Sequence, residues 1–112
     1  MAVAYLQTSG DTYNIIVVDW GKLATPTIDL PLSLALYAQA AGNVKPAGIR
    51  TGEFLAWLHD QADLDSEVIH IIGHSLGAHV GGWAGLTFQN LTGEPAASFT
   101  GNYHTSLKMQ KL

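Results

Sequence analysis

The chain has 112 residues, 47% hydrophobic and only 12% charged, with a formal net charge of −4 at pH 7 and no cysteine. Globular domains average about 25% charged residues, so this chain is not a disordered segment and much of it expects to be covered by other structure. Its acidic balance gives no reason to expect nucleic acid as a partner, and the lack of cysteine excludes a disulfide framework and a thiolate zinc site.

The length is short for a complete α/β enzyme. No apolar run reaches the roughly 18 residues of a membrane span. Leu30–Ala41 comes nearest and is broken by Pro31, Ser33 and Gln39. No basic segment followed by an apolar core opens the chain, so no signal-peptide pattern is present.

Taken in order, Met1–Leu6 reads as the end of a helix stopped by Ser9-Gly10-Asp11. Tyr13–Asp19 is a continuous apolar run rich in β-branched residues, which predicts a strand buried on both faces of a parallel sheet. Lys22–Leu30 reads as loop. From Pro31 to Asp60 the pattern is helical, with Val44, Ala47, Gly48, Thr51, Phe54, Leu55 and Leu58 at three- and four-residue spacing. Gly42, Asn43 and Pro46 interrupt it. Asn43 as a cap and Pro46 in a first turn predict a kinked or two-piece helix.

Gln61–Glu67 is a polar, acidic loop, Val68–Ile72 a second buried strand, and Ser75 to about Thr87 a helix. Phe88–Pro95 reads as loop, Ala96–Thr100 as a third short strand, and the remainder shows no periodicity. Strand, helix, strand, helix, strand is the order of an α/β fold with a parallel sheet.

Val68–Gly85 is the stretch that carries chemistry. A β-branched run drops into Gly73-His74-Ser75-Leu76-Gly77, followed by small residues at helical spacing. In that strand–turn–helix context the pentapeptide predicts a nucleophile elbow. A serine hydroxyl needs a base to take its proton and donors to hold the oxyanion. The elbow makes Ser75 the candidate nucleophile and the N–H of Leu76 the first candidate oxyanion donor. Gly73 and Gly77 are expected to keep the turn free of clashes. Gly77, Gly81 and Gly85, four residues apart, predict a helix face that lies close on a sheet.

Among the histidines, His74 is expected to shape the turn or its pocket, and His79 to pack or hydrogen-bond one helical turn past Ser75. His70 is mid-strand, and His59 ends a helix, where a cation suits the dipole. His104 alone follows Ser75 on a loop, and only Glu94 lies between the two as an acid. No spacing of His, Asp and Glu matches a metal site. Asn90-Leu91-Thr92 is an N-glycosylation sequon on an expected surface loop.

Gly73-His74-Ser75-Leu76-Gly77-Ala78-His79, preceded by Val68-Ile69-His70-Ile71-Ile72, resembles the pancreatic lipase family, including its insect neutral-lipase and phospholipase A1 members. Asn14–Trp20, ending Val-Asp-Trp, resembles a strand of that family. Tyr37, Gln39, Ala40, Asn43, Gly48 and Phe54 fall at the spacing of its next helix. The similarity covers roughly residues 2–101, leaving 102–112 as a divergent tail. It implies the central part of an α/β-hydrolase domain. The expected activity is that of a secreted carboxylester hydrolase, a triacylglycerol lipase or phospholipase A1, acting on glycerolipid or phospholipid at a lipid–water interface without a cofactor.

The resemblance carries Ser75 over as nucleophile and Leu76 as oxyanion donor, and nothing more of the site. Where the family reads Leu-Asp-Pro with the triad acid, this chain reads Asn102-Tyr103-His104. The family's upstream oxyanion loop has no counterpart after Met1. The chain is therefore expected to be a truncated product, inactive alone, with a strand missing from its sheet and apolar edges that invite aggregation. The rival expectation is a non-catalytic yolk or lipid-binding relative of the same fold.

Overall fold

The computed structural model describes residues 4, 7–8, 12–24 and 33–102. Among these, helix α1 (Gly21–Ala24) precedes the long helix α2 (Ser33–Gln61), a 3-10 turn (Ser66–Val68), strand β1 (His70–His74), helix α3 (Leu76–Thr92) and strand β2 (Ser98–Asn102). β1 and β2 pair in parallel, from His70 opposite Ser98 to His74 opposite Asn102. A parallel pair needs a crossover connection, and α3 supplies it. α2 lies along one side of α3 and the sheet along the other.

Small residues explain why α3 sits so close to both neighbours. A Cβ built on Gly81 would lie 2.6 Å from the Phe99 ring and 3.1 Å from Ile71, and one on Gly85 3.7 Å from Ile71. Of the expected close-packed face Gly77, Gly81 and Gly85, only Gly81 lays the helix backbone tightly on the sheet, Gly85 sits at ordinary contact distance, and a Cβ on Gly77 meets nothing within 4 Å. On the opposite side, a Cβ on Gly48 would come within 2.3 Å of the Trp83 Cβ, and one on Gly52 within 2.6 Å of the Ala84 carbonyl oxygen. These two glycines, one turn apart in α2, let two helix backbones touch.

The core forms where these layers meet. Val44, Ala47 and Val80 make one buried cluster, with Trp20, Leu76 and Trp83 packed against it. Ala56, Ile69 and Phe88 make a second, joined by Leu55, Leu64, Ile71 and Ala96. Lys45 holds its ammonium 4.7 Å from the centre of the Trp83 ring, a cation–π contact that roofs the first cluster.

Several expectations are corrected. α2 is one continuous helix, not two pieces: Asn43 lies inside it and not at its start, and Pro46 sits in its interior. An interior proline removes a backbone hydrogen bond and costs about 3 kcal/mol. Pro46 is exposed, and the buried side of the helix on either side of it, Ala40, Val44 and Ala47 among others, offsets that cost by packing.

α3 runs to Thr92, beyond the expected end near Thr87. Phe88, assigned to a loop from sequence, is instead the most enclosed large side chain among the described residues, 0% exposed. Gly93 stops the helix: its φ of 79° is left-handed, and its N–H donates to the Gln89 carbonyl at 2.9 Å.

β1 begins two residues later than expected, leaving Val68 exposed. β2 likewise begins at Ser98, not Ala96. Burial on both faces of β1 does not hold either. Ile71 meets α3, but no residue of β1 is fully buried, because a helix covers only one face of the sheet.

Tyr13–Asp19 forms no strand. Tyr13, Ile16, Val17 and Val18 are exposed, and the run finds no ladder partner among the described residues. The loop expected over Lys22–Leu30 starts as α1, and its residues 25–30 lie outside the described residues. Ala4, Gln7 and Thr8 are helical, with the Thr8 hydroxyl donating to the Ala4 carbonyl at 2.7 Å, so helix is present beyond the expected end at Leu6, and the rest of Met1–Leu6 lies outside the described residues. Ser9-Gly10-Asp11 and the stretch 103–112 lie outside the described residues. No helix among the described residues is long and apolar enough to cross a membrane.

Candidate active site

β1 ends at His74 and α3 begins at Leu76, so Ser75 alone makes the reversal between them. Its backbone adopts φ 54° and ψ −125°. Non-glycine residues avoid this region, and holding one there costs on the order of 1–3 kcal/mol. Asp63, in the loop after α2, is the other non-glycine residue with positive φ among the described residues, and aspartate tolerates it far better.

Three features hold Ser75 in this state. β1 is locked in register with β2 right up to His74 opposite Asn102. A Cβ on Gly73 would stand 2.4 Å from the Gly77 carbonyl oxygen and 2.6 Å from the Ala78 Cα, so the helix start can fold back over Gly73 only because that position has no side chain. On the far side of the turn, the Leu76 side chain is seated against Val44, Ala47 and Val80, where Trp20 and Trp83 also pack.

The two flanking glycines of the pentapeptide are not equivalent. A Cβ on Gly77 meets nothing within 4 Å, so the expected steric role belongs to Gly73 and not to Gly77.

The Ser75 side chain is exposed and makes no capping bond to the helix it precedes. Its carbonyl accepts the Ala78 N–H at 3.0 Å. The N–H of Leu76 is the first of the amides that a helix start leaves without an internal carbonyl, and it lies at the positive end of α3. The turn thus brings together a solvent-facing hydroxyl and a donor-rich helix terminus. His74 is exposed at the end of β1, beside the turn.

The other histidines are engaged elsewhere. His70 Nε2 and the Thr100 Oγ1 lie 2.9 Å apart across the two strands. His59 Nδ1 lies 2.7 Å from the Leu64 carbonyl oxygen, so it carries the proton and donates, while the ring meets Phe88 edge-on at 5.7 Å. Its Nε2 faces Glu94 at 3.9 Å, and Glu94 accepts the hydroxyl of buried Ser66 at 2.7 Å.

Glu94 therefore belongs to a polar clasp at the far end of α3, a helix about 25 Å long, and not to Ser75. A surface depression of about 590 Å³ lined by Ser66, Glu94 and Ala97 lies at that end too. His79 is half-buried one turn past Ser75. No hydrogen bond joins Ser75 to a histidine or carboxylate among the described residues. His104 lies outside them. Nor is any group of three or more His, Asp or Glu side chains among the described residues placed to hold a metal ion.

Sequence reasoning missed the seat of Leu76. Trp20 read only as the end of the strand-like segment Asn14–Trp20, and nothing in its spacing linked it to the turn. The sequon was also misplaced: Asn90 is exposed as expected, but it lies in the last turn of α3 and not on a loop.

The strain at Ser75 has a measurable consequence. Ser75→Gly should raise the thermal midpoint, by a few degrees for about 1 kcal/mol of relieved strain net of glycine's entropy. Ser75→Ala keeps the strained conformation and should leave the midpoint near that of the parent chain. Equal midpoints for the two variants would show that no strain is stored there.

A parallel strand pair crossed by a helix, with a strained serine at the junction, defines a partial α/β fold. The chain matches the family described as Lipase over residues 1–103, and it belongs to this pancreatic lipase-like family. It is 35% identical over 91 residues to phospholipase A1 of Polybia paulista, covering 81% of this chain and 28% of that protein. To the putative endothelial lipase of Crotalus adamanteus it is 32% identical over 91 residues, 81% of this chain and 16% of the other. The human inactive pancreatic lipase-related protein 1 is 42% identical over 72 residues, 64% of this chain and 14% of its own. The chain thus spans a little over a quarter of these relatives' length at most. No solved structure matches it.

Proposed function

We propose that residues 1–101 are the central part of a secreted carboxylester hydrolase that acts on glycerolipid esters at a lipid–water interface, with Ser75 as its nucleophile. The observation that carries this reading is the backbone of Ser75, held at φ 54° and ψ −125° between a paired strand and a helix start. A fold has no structural use for that strain, whereas a hydroxyl lifted clear of the strand end is accessible to an ester carbonyl.

In the reaction, Ser75 Oγ adds to the carbonyl carbon as a base takes its proton. The carbonyl oxygen becomes an oxyanion, and the Leu76 N–H donates to it, helped by the positive end of α3. Collapse expels the alcohol, and water then hydrolyses the acyl-serine. Gly73 and His74 shape the turn. This chemistry uses no metal or organic cofactor. The names of the relatives, phospholipase A1 and lipase, support a lipid ester as substrate.

The described residues of this chain bring no histidine–carboxylate pair to Ser75, so in this reading the base and the group that orients it come from outside them. The purified 112-residue chain should hydrolyse p-nitrophenyl butyrate no faster than its Ser75→Ala variant. Placed into the Polybia phospholipase A1 over the matched 91 residues, the same segment should support phospholipid hydrolysis that Ser75→Ala abolishes. A soluble chimera with activity indifferent to Ser75 would defeat the reading.

A second reading has one observation in its favour. The relative with the highest of these identities carries a name that describes it as inactive. A non-catalytic, lipid-carrying role for this chain predicts a soluble chimera that binds phospholipid and turns none over.

A further inference from the structure

We propose that Asn90 is an N-glycan attachment site, modified on the nascent chain and carried on the solvent face of α3. The inference goes beyond the hydrolase reading and does not use Ser75. Asn90-Leu91-Thr92 is the only Asn-X-Ser/Thr in the sequence with X other than proline.

The structure adds what the motif alone lacks. Asn90 is exposed and follows the fully buried Phe88 by two residues, about 200° around the helix, so it projects from the flank opposite the core. It lies roughly 22 Å along α3 from Ser75, so a glycan there leaves the strained turn clear. Beside it Leu91 is 59% exposed, an apolar side chain that a sugar would shield.

The Thr92 hydroxyl sets the timing. In the folded chain it donates to the Phe88 carbonyl at 2.8 Å and accepts the Glu94 N–H at 3.2 Å. Glycan transfer needs this hydroxyl, so the step belongs to the chain before the last turn of α3 closes. The co-reactant is an oligosaccharide joined through a diphosphate to a polyisoprenoid lipid. The Asn90 side-chain nitrogen attacks the sugar's anomeric carbon, forming the N–C bond. The bond from that carbon to the phosphate oxygen breaks, the nitrogen loses one proton, and the lipid diphosphate leaves.

The test is translation of the whole chain behind a cleavable leader in the presence of microsomes, scoring only chains protected from added protease. The expected result is a single step of slower migration that peptide N-glycosidase removes. Asn90→Gln and Thr92→Ala abolish the step, and Thr92→Ser retains it. Protected chains without the step, or a step that survives Asn90→Gln, overturn the proposal. The purified glycosylated chain should also keep its thermal midpoint when the glycan is stripped. A midpoint that rises on stripping would place Asn90 against the fold and overturn the solvent-face assignment.

Discussion

Phe88→Ala should remove about 3–5 kcal/mol of stability, enough to abolish a cooperative urea transition in a chain of this size. Phe88 is fully enclosed and closes the cluster of Ala56 and Ile69, with Leu55, Leu64, Ile71 and Ala96 around it. Its cluster thus joins α2, the lead-in to β1 and the lead-in to β2. Its ring also receives the edge of His59, whose Nδ1–H donates to the Leu64 carbonyl and pins the loop after α2. Phe88→Leu keeps most of the volume and should cost about 1–1.5 kcal/mol. Circular dichroism at 222 nm through a urea titration distinguishes the two variants. A Phe88→Ala chain that unfolds within 1 kcal/mol of the parent would show that the second cluster does not hold these layers together.

Gly73 and Gly77 should respond in opposite directions to the same substitution. Gly73→Ala sets a Cβ 2.4 Å from a carbonyl oxygen and 2.6 Å from a Cα, both backbone atoms that no rotamer change can move. The turn must open or the β1–β2 register must shift, at a cost of about 3 kcal/mol, the upper end for overpacking. Gly77→Ala meets open space in the first turn of α3 and should gain about 0.5–1 kcal/mol from helix propensity. Parallel thermal melts decide the matter. Equal effects, or the reverse order, would refute the account of how the reversal at Ser75 is held.

That contrast marks how far the sequence could be read. The pentapeptide, the β-branched run before it and the small residues after it announced a strand, a turn and a helix, and these are β1, Ser75 and α3. Their pattern could not separate Gly73 from Gly77, because the difference lies in which backbone atoms fold over each one. The end of α3 was misjudged because Gln89, Asn90 and Thr92 read as loop chemistry, although Phe88 continues the four-residue spacing of Val80 and Ala84. The effective stop signal was Gly93, the residue able to take the left-handed cap.

Pro46 and Asn43 misled in the other direction: local propensity argued for a break, and packing of the buried side on either side of it prevailed. Tyr13–Asp19 shows a third kind of limit. An apolar run states that a segment needs cover, but not which segment provides it. Here no ladder forms among the described residues, and Ile16 and Val17 stay in water.

The connection of β1 to β2 through α3 also bears on the order of assembly. Its strand pairing and the contact of α3 with the sheet close within the stretch from His70 to Asn102, whereas the packing of α3 on α2 reaches further along the chain. Loop-closure entropy is therefore low for this unit, while α2 must search for the groove that Val80 and Ala84 offer. During synthesis Ser75 emerges well before Asn102, so the strained turn is set only when β2 arrives to hold β1 straight. The reversal at Ser75 is thus a late product of a local event, and its formation reports that the crossover has closed.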